Sequence, residues 1–158
     1  RDFMARSVKR VVLVLLAAAI AAFAAWMLWP RSLAGAFDFD QPFTLTVTDL
    51  ELQEDGRWTS GEPVSAAVEP ETPAAEAVRA ALEEESYHLC LSTLTGDPLI
   101  DGTGDQIVSL YGSAGQEKNH LTLYAGNSRL NAGGRVVRGY FRDGAALCGE
   151  LAAILRPE

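Results

Sequence analysis

Hydrophobic positions along the chain follow two regimes. From Val11 to Trp29 (VVLVLLAAAIAAFAAWMLW) nineteen residues pass without a charge or a strongly polar group, whereas beyond Phe43 apolar residues recur at strand or helix spacing. At ~1.5 Å of rise per residue the first run spans roughly 28 Å, close to the ~30 Å hydrocarbon core of a bilayer. It predicts a transmembrane helix over 11–29, with Val11 at its inner end. Trp26 and Trp29 lie at its outer end, where amphipathic rings favour the headgroup level. Arg6, Lys9 and Arg10 precede the run. The positive-inside tendency then leaves 1–10 as a cytoplasmic tail and places everything after the helix outside the cytoplasm.

Two other readings compete. A buried core helix is usually shorter, about 10–14 apolar residues. A cleaved leader could start at Met4 and end at Ala34-Gly35-Ala36, which fits the A-x-A rule, and cleavage at Ala36 would release a secreted soluble domain. The run is longer than the ~7–15 residues of a leader's apolar region, and Arg31 is an awkward neighbour for a cleavage site. The expectation is therefore an uncleaved anchor.

Residues 30–42 read as a stalk and 43–157 as one extracytoplasmic domain. Phe43, Leu45 and Val47 alternate with Thr44, Thr46 and Thr48, the pattern of a half-buried strand. At Asp49 the apolar phase shifts to Leu50 and Leu52, which suggests a bulge or a new strand. Glu54-Asp55-Gly56 is a turn, and Arg57–Thr59 can return as a short strand. A surface connection over 60–73 carries a short extended piece at Val64–Val68. Thr72 and Pro73 then open a helix as cap and first residue, and Ala75, Val78, Ala81 and Leu82 form its apolar stripe. Glu83–Glu85 follow at its C-terminal end and read as a solvated helix end.

Tyr87–Leu94 predicts the next strand, followed by a loop (TGDPLIDGTGDQ) and strands at Ile107–Tyr111, His120–Ala125, Ser128–Asn131 and Arg135–Phe141. Tight turns between them make the pairing antiparallel. A last helix over 145–156 buries Leu147, Cys148, Leu151, Ile154 and Leu155. The predicted class is α+β: one transmembrane helix, then an antiparallel sheet of about four to six strands with two helices on one face, in the order β(β)-α-β-β-β-β-α.

Charge changes the picture. Residues 37–158 hold eight basic and twenty acidic residues, a net of −12, while five of the chain's thirteen basic residues lie in 1–36. Such an acidic domain repels phosphate backbones, which argues against nucleic acid as a partner. Cys90 and Cys148 are the only cysteines, and outside the cytoplasm an even pair suggests a disulfide.

Candidate chemistry is sparse. Asp97, Asp101 and Asp105, with glycines between them, could wrap a hard cation, although the spacing matches no EF-hand loop. Arg135, Arg138 and Tyr140, near Arg129, Arg142 and Tyr124, could bind an acidic or carboxylate-bearing ligand. The plainer reading is pairing with the domain's many acids. His88 and His120 are the only imidazoles, Ser86, Ser92 and Ser109 have no nucleophile-elbow context, and Gly102-Thr103-Gly104 lacks the rest of a dinucleotide fingerprint. No cofactor is implied and no motif identifies a family.

The expected role is a non-enzymatic, membrane-anchored module, held in the bilayer through 11–29 and binding a protein partner or envelope component outside the cytoplasm. The alternative is a small ligand-dependent sensor or hydrolase using the Asp97–Asp105 loop and a histidine. Small residues over Ala17–Ala25 would also permit helix self-association.

Overall fold

A computed structural model describes residues 2–95, 106–113, 119–126, 128–133 and 137–156. Helix α1 (Asp2–Leu28) leads into a two-residue strand β1 (Arg31–Ser32), a 3-10 turn (Ala34–Ala36) and the long strand β2 (Phe43–Leu52). Strands β3 (Trp58–Ser60) and β4 (Val64–Val68), helix α2 (Pro73–Glu83), strand β5 (Ser86–Leu89) and the one-turn helix α3 (Ser92–Thr95) follow. Strands β6 (Gln106–Gly112), β7 (His120–Tyr124), β8 (Arg129–Ala132) and β9 (Val137–Phe141) precede helix α4 (Gly144–Leu155).

The class is α+β and the pairing antiparallel throughout. The strand number differs from expectation: nine strands join one sheet, in the order β1-β5-β9-β8-β7-β6-β2-β3, with β4 also paired to β2. The meander β6 to β9 forms the middle, β2 adds beside β6, and β5 adds beside β9. Two elements escaped the sequence pattern because they are short. β1 is two residues long, and the strand expected over Tyr87–Leu94 ends at Leu89, where the Thr93 N–H donates to the Cys90 carbonyl and starts the α3 turn.

β2 is one continuous strand. Its outer edge changes partner from β4, which pairs with Phe43–Val47, to β3, which pairs with Leu50–Leu52. The register slips by one residue between them, and the Gly61 N–H donates to the Asp49 carbonyl at 2.8 Å. The irregularity sensed at Asp49 thus sits on the neighbouring edge. A Cβ at Gly61 would come within 3.1 Å of that same carbonyl oxygen, so glycine suits the close approach.

One face of the sheet carries the core. Phe43, Leu45 and Val47, Val108 and Leu110, Leu121 and Leu123, and Leu130 are all at most 2% exposed. Val78 and Leu82 of α2 and Leu147 and Leu151 of α4 close over them, equally buried. Both helices start where their sequences direct. Thr72 accepts from the Ala75 N–H and Asp143 from the Ala146 N–H, relieving orphan amides of each first turn.

Residues 31–42 belong to this core instead of standing apart from it. Leu33 is fully buried, its N–H donating to the Glu85 carbonyl as an extension of the β1–β5 ladder. Phe37, Phe39 and Phe43 meet edge to face with centroids 5.1–5.7 Å apart. The buried Asn119 side chain clamps Asp38, accepting from its N–H at 2.8 Å and donating to its carbonyl at 2.9 Å. Gly112 leaves the room for this clamp, because a Cβ there would meet Asn119 at 3.0–3.1 Å.

At the far end, the Asp49 carboxylate accepts from Arg156 at 2.9 Å and from Gln106 at 3.0 Å, tying β2 and β6 to the end of α4. These hydrogen bonds, Arg156 first, hold its pKa below the ordinary aspartate value.

Gly112→Ala is expected to cost about 1–3 kcal/mol by crowding Asn119, and Leu110→Ala about 2–5 kcal/mol by opening a core cavity, both read from denaturant unfolding. The Asp49 contribution is complete above the unfolded aspartate pKa of ~3.9 and disappears as pH falls through the lower folded value. Both partners are more than one-third exposed, so it amounts to about 0–1 kcal/mol. Asp49→Asn should therefore be less stable than the wild type near pH 7, and the difference should vanish as pH falls through the lowered folded-state pKa.

Candidate functional site: the anchor end and the helix-free face of the sheet

Helix α1 holds the 23-residue stretch Arg6–Leu28, long and apolar enough to cross a membrane. Its side chains stand clear of the domain, Val11 at 58%, Trp26 at 52% and Trp29 at 67% exposed. Met27 alone turns inward, at 6%. Arg31 closes the helix: its guanidinium donates to the Trp29 and Trp26 carbonyls, both at 3.0 Å, and lies 5.5 Å from the Trp26 ring centroid. Carbonyls at the end of a helix have no partner within it, and a C-terminal arginine supplies one. Tyr87 pairs with Arg31 across β1 and β5. Burial pushes its phenol pKa up, opposed by the Arg31 charge.

The sheet face turned away from α2 and α4 is polar and aromatic. Register alone sets one row across six strands: Thr48, Ile107, Tyr124, Arg129, Tyr140 and His88. A second row runs through Thr46, Ser109, Thr122, Asn131 and Arg138. Ser109 and Thr122 are buried, with their hydroxyls 3.4 Å apart. Asn131 donates to the Tyr124 hydroxyl at 3.3 Å, and Tyr111 stacks on His120 with centroids 6.1 Å apart.

The sequence-predicted ligand residues divide accordingly. Arg138 and Tyr140 share this face, placed by backbone register, with Arg138 diagonal to Arg129. Arg135 lies outside the described residues, as do Asp97, Asp101 and Asp105, the proposed cation loop. His88 and His120 share the face but sit on β5 and β7, three strand spacings or ~14 Å apart. Among the described residues no three His, Cys, Asp or Glu side chains gather closely enough to hold a metal ion.

The expected disulfide is not formed. Cys148 is fully buried under α4, its thiol 4.0 Å from the Leu123 carbonyl on β7, while Cys90 is half-buried just beyond β5. The intervening β9 and β8 keep the two cysteines apart, about 14 Å at the usual strand spacing, far beyond the ~7 Å that a bridge allows between Cα atoms. The sequence placed Cys148 on the buried face of the last helix, but could not say that β5 lies three strands away from β7.

A cleft of about 360 Å³ between α2 and the 32–40 segment also went unforeseen. Phe39 and Asp40 line it, with Arg79 engaged by Glu83 at 2.9 Å. Its walls come from segments forty residues apart, and no local pattern signals that meeting. No family model matches the chain, and neither a curated protein nor a solved structure is significantly similar to it.

Burial pushes the Cys148 pKa up to about 12, so its thiol stays protonated at neutral pH. Maleimide should label the native protein slowly and at Cys90 alone, and the denatured, unreduced protein at two positions by intact mass. An unreduced chain that takes up no label after denaturation would mean the cysteines are joined.

Proposed function

We propose that this chain is a single-pass membrane protein with a cytoplasmic N-terminus, which holds its α+β domain outside the cytoplasm and offers the helix-free face to a protein partner. The observation that carries the reading is the continuity of anchor and domain. Cleavage at Ala36 would remove β1, the fully buried Leu33 and the Arg31 cap, so a released domain would lose an edge strand and part of its core. The basic flank Arg6, Lys9 and Arg10 supports the orientation.

The helix-free face supports the binding role. Tyrosine and arginine are the residues that protein interfaces favour, and this face gathers Tyr111, Tyr124, Tyr140, Arg129 and Arg138 with both histidines. It is locally basic on a domain of net charge −12, which suits a partner surface bearing carboxylates.

Alkaline carbonate washing of native membranes should leave the protein in the pellet, and protease added outside should digest the domain while an N-terminal epitope survives. Recovery of a soluble 37–158 fragment would overturn the anchor, and a protected domain would overturn the orientation. A photocrosslinking residue at Tyr111, 49% exposed, should capture a discrete partner in intact membranes, whereas the same residue at Thr59 on the β3 edge should not. Equal labelling from both positions would sink the assignment of the face.

A further inference from the structure

Leu91 and Leu94 are 72% and 57% exposed, an unusual exposure for leucines within a folded domain whose other leucines are mostly core. They stand three residues apart around the α3 turn, where the Leu94 N–H donates to the Leu91 carbonyl, so they project to one side. Their position relative to the anchor follows from the ladder. β1 pairs antiparallel with β5, Arg31 opposite Tyr87 and Ser32 opposite Ser86. As the chain runs from Ser86 to Leu89 it therefore travels back toward the end of α1. α1 contacts β5, and Met27 near the end of α1 is buried. α3 follows β5 directly, so it begins toward the end of the β1–β5 ladder from which α1 departs.

We infer that Leu91 and Leu94 form a second membrane contact, dipping into the headgroup region of the leaflet where α1 emerges. The inference rests on α1 being inserted, and adds that the domain lies fixed against the bilayer instead of swinging on a tether. Chemistry singles out the lipid interface as the occupant. Residues 86–96 (SYHLCLSTLTG) hold no acid and no lysine or arginine in a strongly acidic domain. The two leucines are thus apolar groups on a neutral stretch that runs toward the end of α1, the end that carries Trp26 and Trp29. Arg31 donates to the Trp26 and Trp29 carbonyls, so two of the polar groups where α1 ends are satisfied. With a second contact added beside the helix at the same end of the β1–β5 ladder, the sheet has one orientation to the membrane.

The test uses the full chain in phosphatidylcholine vesicles, with Cys90→Ser to remove the partly accessible thiol. Spin labels are placed singly at Leu94→Cys, at Leu16→Cys within α1, and at Glu54→Cys on the β2–β3 turn. Power saturation then compares access of oxygen, which partitions into lipid, with access of a water-soluble nickel chelate. Labels at 94 and 16 should both favour oxygen several-fold over the label at 54. A label at 94 that reads like the one at 54, while 16 still favours oxygen, would overturn this contact and leave the anchor intact. Low access to both reagents at 94 would also overturn it, since protein would then cover the leucines. A label at 16 open to nickel would overturn the anchor itself, and this inference with it.

Discussion

The two-residue pairing of β1 with β5, with Leu33 buried behind it, is the constraint on which the rest of the structure depends. A helix joined to a domain through a flexible stalk transmits no orientation. Here the chain leaves α1, is capped by Arg31 within three residues, and enters the sheet at once. Leu33, the phenylalanine cluster and the Asn119 clamp then fasten residues 33–43 across the core to β2. The cost of ordering this segment is offset by apolar burial and by backbone hydrogen bonds.

That arrangement also explains how a nine-stranded open sheet manages its edges. Unpaired edge strands invite pairing with other chains. One edge is the very short β1, held close to the end of α1. The other is divided between β3 and β4, with Gly61, Glu62 and Pro63 between the two pieces and a one-residue slip in register. Proline and charge on a broken edge discourage strand addition. With both edges defended and one face covered by α2 and α4, the opposite face is the broad sheet surface that no helix covers.

Much of this architecture is local in origin. Alternation at Phe43–Val47, the Thr72-Pro73 start, the α2 stripe and the tight-turn meander were legible because each depends on residues within a few positions. The same holds for the length of α1, set by an uninterrupted apolar run. Three readings needed contacts distant in sequence. Leu33 and Phe37 lie among Ala, Gly, Ser and Asp, so no periodicity marked them as core. Cys148 is buried and Cys90 half-buried, and their separation depends on the position of β5 in the strand order. Leu91 fits a strand by alternation with Tyr87 and Leu89, but the Cys90–Thr93 turn takes the chain out of the sheet.

For the site the division is sharper. Arginines, tyrosines and histidines could be named from the sequence, but not their grouping. Side chains alternate along a strand with period two, so each residue's parity is a local property, whereas its neighbours across the sheet are fixed only by register and strand order. Thus Arg138 and Tyr140 could be assigned to a strand, and only the pairing of β9 with β8 and β5 put Tyr140 between Arg129 and His88. The sequence by itself determined an apolar helix of membrane-spanning length, an α+β composition and an acidic domain, because these follow from hydropathy, spacing and charge. The tertiary structure decided the weld between α1 and the sheet, the separation of the cysteines and the residues sharing the open face, because each depends on which strands lie side by side.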